Sequence, residues 1–182
     1  MEPFFTIGHS TRAIEAFTGL LAANGVTRLV DVRTVPKSRM NPQYNRDALP
    51  KSLAAHGIAY QHMPALGGLR PRMKDVPPER NGFWENQSFH NYADYAMGPE
   101  FRAALDSLIE LGRRERCAVM CAEAVWWQCH RRIIADYLLA SGEAVFHILE
   151  KEVPEPALMT PGSRPGPGRT LEYPARQAGL GL

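Results

Sequence analysis

The chain has 182 residues, of which 45% are hydrophobic and 22% charged, and its formal net charge is +2. This length suits one domain with a full core plus a tail, and a charge so near neutral points to no partner class by itself. No segment reaches the ~18 apolar residues of a membrane span, and the opening residues lack the basic n-region of a signal peptide. The three cysteines, Cys117, Cys121 and Cys129, are odd in number and clustered, which excludes a disulfide framework. A reducing cytoplasm is therefore expected, with the thiols free, catalytic or metal-bound.

Residues 3–8 read as a buried strand carrying Phe4, Phe5 and Ile7. Ser10 or Thr11 is placed to cap a helix over residues 13–24, whose apolar positions Ile14, Phe17, Leu20 and Leu21 recur at helical spacing. Gly25 suits its C-terminal stop. A second strand covers residues 28–32, and Asp31, costly to bury alone, requires a partner. Residues 35–44 form a long polar loop, residues 46–56 a second helix, and residues 59–63 a third strand that runs into Gly67-Gly68. Residues 70–91, broken by prolines, read as an irregular excursion packed by Phe83, Trp84 and Phe89. A long helix over residues 99–114 precedes a strand at 118–121. An amphipathic helix then carries Trp126, Ile133, Ile134, Tyr137 and Leu138, with Arg132 and Asp136 set to pair across one turn. A last strand covers residues 143–149.

This alternation predicts a single three-layer α/β domain over residues 1–153, with a mostly parallel sheet of about five strands. Strand order is not legible. Residues 154–182 read as a Pro/Gly-rich linker and C-terminal tail.

In a parallel sheet the residues just after each strand emerge at one edge, where such folds place ligands. His9 and Ser10, Asp31 and Arg33, Gly67 and Gly68, and Cys121 and Glu123 all occupy such positions; Cys129, His130 and Arg131 begin the helix above them, and Ser38 and Arg39 reach in from the loop. The assigned chemical group is Cys121, Glu123, Cys129, His130, Asp31 and His9. The assigned substrate-binding group is Ser10, Arg33, Ser38, Arg39, Gly67, Gly68 and Arg131. A thiol beside an imidazole and guanidinium groups at a helix N-terminus is suited to nucleophilic work, and Arg33, Arg39 and Arg131 suit a phosphate. Zinc is an alternative: Cys121, Cys129 and a His supply three ligands. Against it, no compact C-x₂-C pair exists and adjacent Cys129 and His130 rarely bind one ion, so no metal ligand is assigned. A third alternative is a non-catalytic pocket in which Trp126 or Trp127 stacks a base. Cys117 reads as core.

Together, Thr6-Ile7-Gly8-His9-Ser10, Asp31-Val32-Arg33, Pro36-x-Ser38-Arg39, Leu66-Gly67-Gly68 and Cys121-x-Glu123 with Cys129-His130-Arg131 resemble the domain-of-unknown-function 488 family. The resemblance runs from about Phe4 to Glu150 and includes Tyr173-Pro174, with Tyr44 standing where Phe is expected. It implies a small bacterial or archaeal α/β protein of unestablished activity, some members being loosely labelled as DNA-repair proteins. The resulting expectation is a cytoplasmic, cysteine-centred enzyme acting on a phosphate-bearing nucleotide or nucleic-acid substrate, with no cofactor identified and no membrane partner. Gln177-Ala178-Gly179-Leu180-Gly181-Leu182 also resembles the short peptide that docks repair and replication proteins on the bacterial sliding clamp.

Overall fold

In the computed structural model, which describes residues 1–151 and 153–176, successive strand side chains alternate between two cores. The elements run β1 (Phe4–Gly8), α1 (Ile14–Ala23), β2 (Arg28–Asp31), α2 (Leu49–Ala54), β3 (Ala59–His62), α3 (Gln87–Ala96), α4 (Pro99–Gly112), β4 (Cys117–Cys121), α5 (Arg131–Ala140), β5 (Val145–Ile148) and β6 (Glu155–Pro156). Phe5, Ile7, Leu29, Ala118 and Met120 face one way and meet Phe17 and Leu21 of α1 and Leu49 and Leu53 of α2. Phe4, Val30, Cys117 and Val119 face the other way and meet α3, α4 and α5 through Tyr92, Phe101, Leu105, Ile134 and Tyr137. A strand buried on both faces needs apolar residues at every position, which is why Phe-Phe-Thr-Ile and Cys-Ala-Val-Met-Cys read as continuous runs.

The sheet order is β3-β2-β4-β1-β5-β6. The first five strands are parallel and β6 is antiparallel to β5. β1 and β4 are neighbours, yet α1 leaves β1 over one face while α5 leaves β4 over the other. Their carboxyl ends therefore flank a topological switch point, the crevice in which open α/β sheets bind ligands.

Three elements differ from the sequence expectation. Helix α3 lies inside the stretch read as irregular; Asn86 caps it, its side chain accepting from the Ser88 and Phe89 N–H groups at 2.9 and 3.4 Å. Trp126 lies not in α5 but in a 3₁₀ turn over Trp126–Gln128, and Cys129 breaks the helix with extended backbone (φ −132°, ψ 147°). The stretch after 153 packs on the body as far as residue 176 instead of acting as a free linker. It supplies β6 and the pair β7 (Arg164–Pro165) and β8 (Leu171–Glu172), and it buries Tyr173 completely. There Asp136 accepts the Tyr173 hydroxyl at 3.0 Å and the Thr160 N–H at 2.9 Å. Arg132 also turns to Thr160, donating to its hydroxyl at 3.0 Å. The Gln177 to Leu182 peptide lies outside the described residues. Among the described residues, no helix is long and apolar enough to cross a membrane.

Candidate functional site

The crevice opens into a pocket of about 690 Å³ lined by His9, Ser10, Arg33, Ser38, Gly68, Cys121, Glu123, Cys129 and His130. Nine of the sequence-assigned residues thus meet at one place because β1, β2 and β4 end side by side. Asp31 and Arg131 lie beneath, bonded to residues of the lining. Gly67 packs behind, where a Cβ would stand 2.6 Å from the Thr34 hydroxyl. Arg39 is exposed and outside the lining. Thr11, Lys37, Asn41, Phe89 and Gln128 join the wall without having been assigned. Lys37 sits inside the Pro36-x-Ser38-Arg39 motif, where a charge directly before the assigned Ser38 was the available signal. Phe89 comes from α3 and had none.

One wall is a buried ion-pair network. Asp31 Oδ1 accepts from Arg33 Nε at 2.9 Å, while Oδ2 accepts from Arg33 Nη2 at 2.7 Å and the Tyr60 hydroxyl at 2.6 Å. Arg33 also donates to the Tyr44 carbonyl at 2.7 Å, so this guanidinium is committed to the wall. Its Nη1 lies 3.4 Å from His9 Nε2, and His9 Nδ1 lies 2.8 Å from the Ser10 carbonyl. That arrangement assigns the proton to Nδ1 and leaves Nε2 as acceptor. Burial lowers the His9 pKa and the Arg33 charge adds to that, so the ring faces the pocket neutral. Ser38 shapes the loop, accepting the Asn41 N–H at 3.0 Å on its hydroxyl.

The floor is sulfur. Cys121 Sγ and Cys129 Sγ are paired as a disulfide, where the sequence suggested free or metal-bound thiols, and their Cα atoms stand 7.5 Å apart. Cys129 Sγ accepts the Arg131 N–H at 3.4 Å and lies 3.5 Å from His130 Nδ1. His130 Nε2 lies 3.1 Å from the Val32 carbonyl. A carbonyl only accepts, so Nε2 carries the proton and the Nδ1 lone pair faces the sulfur. Burial pulls the His130 pKa down to about 4, and the imidazole is neutral. Adjacent residues converge here because Cys129 is extended while His130 is already helical (φ −57°, ψ −16°). Gly68 leaves room for the ring, since a Cβ there would sit 2.5 Å from Nδ1. At Gly8 a Cβ would collide with the Glu123 carbonyl, so the β1 end must be glycine for β4's loop to close over it.

Arg131 is fully buried, and burial lowers its pKa to about 9. Its guanidinium donates to two neutral acceptors, the Glu123 carbonyl at 2.7 Å and the Thr6 hydroxyl at 3.4 Å. Among the described residues its Nε has no hydrogen-bond partner. Cys121 Sγ, Cys129 Sγ and a Glu123 carboxylate oxygen lie within 4.8 Å of one another, with the Glu123 side chain exposed at the pocket. Cys117, the remaining cysteine, is buried in the core, and burial raises its pKa to about 12.

Neither curated proteins nor solved structures give a match to the chain. A family model does match, over residues 13–138, from the start of α1 into α5. It covers every assigned site residue except His9 and Ser10, and on that extent the chain belongs to the family described as Domain of unknown function DUF488.

Proposed function

We propose that this protein is a cysteine-centred enzyme acting on a phosphate-bearing substrate, a nucleotide or part of a nucleic acid. One observation carries the reading: Cys129 Sγ, on the pocket floor, is held between the Arg131 backbone N–H and the His130 Nδ1 lone pair. An N–H donor at the first turn of a helix stabilises negative sulfur. An imidazole whose far nitrogen is tied to a carbonyl presents its base toward the thiol. Once the sulfur is reduced, the Arg131 N–H favours its thiolate, the form in which cysteine attacks an electrophile and also binds a soft metal ion.

The lining of the mouth supports the substrate class. Arg33 is neutralised by Asp31, so Lys37 and the hydroxyls of Ser10 and Thr11 are the groups in the wall that suit an anion. The volume, about 690 Å³, exceeds what inorganic phosphate needs and suits a phosphorylated body such as a nucleotide. A link to nucleic-acid repair belongs to this reading.

The test is alkylation of reduced, chelator-treated protein with iodoacetamide at pH 7, located by peptide mass. Cys129 is expected to react at least about tenfold faster than free cysteine, and His130→Gln to slow it. A Cys129 that reacts no faster than the free thiol would end this reading.

A further inference from the structure

The geometry points to a divalent metal site of zinc type at the pocket floor of the reduced protein, with Cys121, Cys129 and an exchangeable Glu123 as ligands and the adjoining His130 as the fourth. The inference rests on the reading of Cys129 as a thiolate and assigns that thiolate a partner. Three donor groups converge, the two sulfurs and the Glu123 carboxylate, all within 4.8 Å of one another, and His130 Nδ1 borders them at 3.5 Å from Cys129 Sγ. With zinc–sulfur and zinc–nitrogen bonds of about 2.3 and 2.0 Å, a tetrahedral ion sets its sulfur and nitrogen ligands about 3.5 Å apart. The Cα separation of 7.5 Å between Cys121 and Cys129 exceeds the roughly 4.4–6.8 Å of ordinary disulfides, so that on reduction the two sulfurs have room to part around an ion.

The outer contacts are those a metal site uses. A ligating imidazole donates its other N–H to a carbonyl, which fixes the tautomer and aims the lone pair; His130 meets that condition at the Val32 carbonyl. A backbone N–H, that of Arg131, supports the Cys129 sulfur.

Arg131 supplies an independent argument. A fully buried guanidinium whose bonds go to a hydroxyl and a backbone carbonyl has, among the described residues, no ion pair in contact, and only the more distant Glu123 carboxylate opposes its burial; burying such a cation is costly. Two thiolates and a carboxylate around a divalent ion carry one net negative charge. That set adjoins Arg131 through the Glu123 carbonyl and the Cys129 sulfur, and it would neutralise the guanidinium. Glu123 is the exposed member of the set, so it is the ligand that an anionic oxygen of the substrate can replace at the ion.

The experiment uses the full chain, purified without chelator and reduced with a phosphine. Metal content is measured by mass spectrometry, and the apo protein is then titrated with cobalt(II). About one ion per chain is expected, along with a sulfur-to-cobalt charge-transfer band and the visible bands of tetrahedral cobalt. Cys121→Ser should roughly halve the charge-transfer intensity; Glu123→Gln should keep the band and weaken affinity about tenfold. Circular dichroism checks that each variant is folded. Folded protein that shows neither stoichiometric metal nor a charge-transfer band overturns the site, as does a Cys121–Cys129 disulfide that persists under the phosphine. Fast Cys129 alkylation with no cobalt band would sink the metal site alone and leave the enzyme reading. A cobalt band with slow Cys129 alkylation would support the metal site and remove the reactive sulfur.

Discussion

Gly68 and His130 occupy a space that has room for one side chain. The Cβ of an alanine at 68 would stand 2.5 Å from His130 Nδ1 and 2.8 Å from Cγ, so the ring has to rotate off the sulfur. Gly68→Ala is therefore expected to slow Cys129 alkylation by about an order of magnitude while the melting temperature moves only a few degrees. An unchanged rate with the fold intact would mean that the imidazole does not act on the thiol. At this scale the sequence was informative about place and less so about role. Polar residues following apolar strands marked His9, Asp31, Cys121 and Glu123 as neighbours. Arg33 and Arg131 looked like phosphate grips because a linear chain does not display their contacts. Arg33 is paired with Asp31 two positions away, and Arg131 is aimed into the protein at Thr6.

Among the elements, α5 links the pocket to the returning C-terminal stretch. Its pocket end presents Arg131, and further along Asp136 holds the returning chain through Tyr173 and Thr160. Burial raises the Asp136 pKa, and the bonds from Thr160 and Tyr173 oppose that shift. Tyr173→Phe keeps the ring in place and removes one donor from a buried carboxylate, which costs about 1–2 kcal/mol. The expected result is a melting temperature lower by roughly 2–8 °C and faster proteolysis between residues 154 and 170. An unchanged melting temperature would show that Asp136 does not depend on the phenol. The sequence suggested an Arg132–Asp136 pair from their spacing along one turn. Both side chains instead reach across to Thr160, a partner too distant in sequence for periodicity to reveal. The extent of α5 was overread for a similar reason, because Trp126 matches the apolar spacing although the backbone is broken at Cys129.

For the molecule as a whole, the buried histidines bear on acid stability. His147 is 2% exposed, its Nδ1 lies 2.7 Å from the Thr6 hydroxyl, and its ring stacks on Trp126 at 4.6 Å. Burial first, then the Arg131 charge, lowers its pKa to about 3 from the ordinary histidine value of 6.5. The folded state therefore disfavours the proton. The stabilising share of neutral His147 is complete above about pH 6.5 and is lost progressively as pH falls toward 3, amounting to about 2 kcal/mol by pH 5. Urea denaturation at pH 7 and pH 5 should show a smaller drop for His147→Gln than for the parent, and equal drops would refute the assignment. The parallel sheet and its flanking helices were legible from alternating apolar runs, whereas the order β3-β2-β4-β1-β5-β6 was not, since pairing between distant strands leaves no periodic mark. That order has a consequence during synthesis. β1 pairs only with β4 and β5, Phe5 meeting Ala118 and Ile7 meeting Ile148. At roughly 5–20 residues per second on the ribosome, its apolar run waits on the order of ten seconds for a neighbour. The strand that positions His9 is thus made before either of its partners, and a nascent chain that has not yet reached Ile148 cannot seat it on both sides.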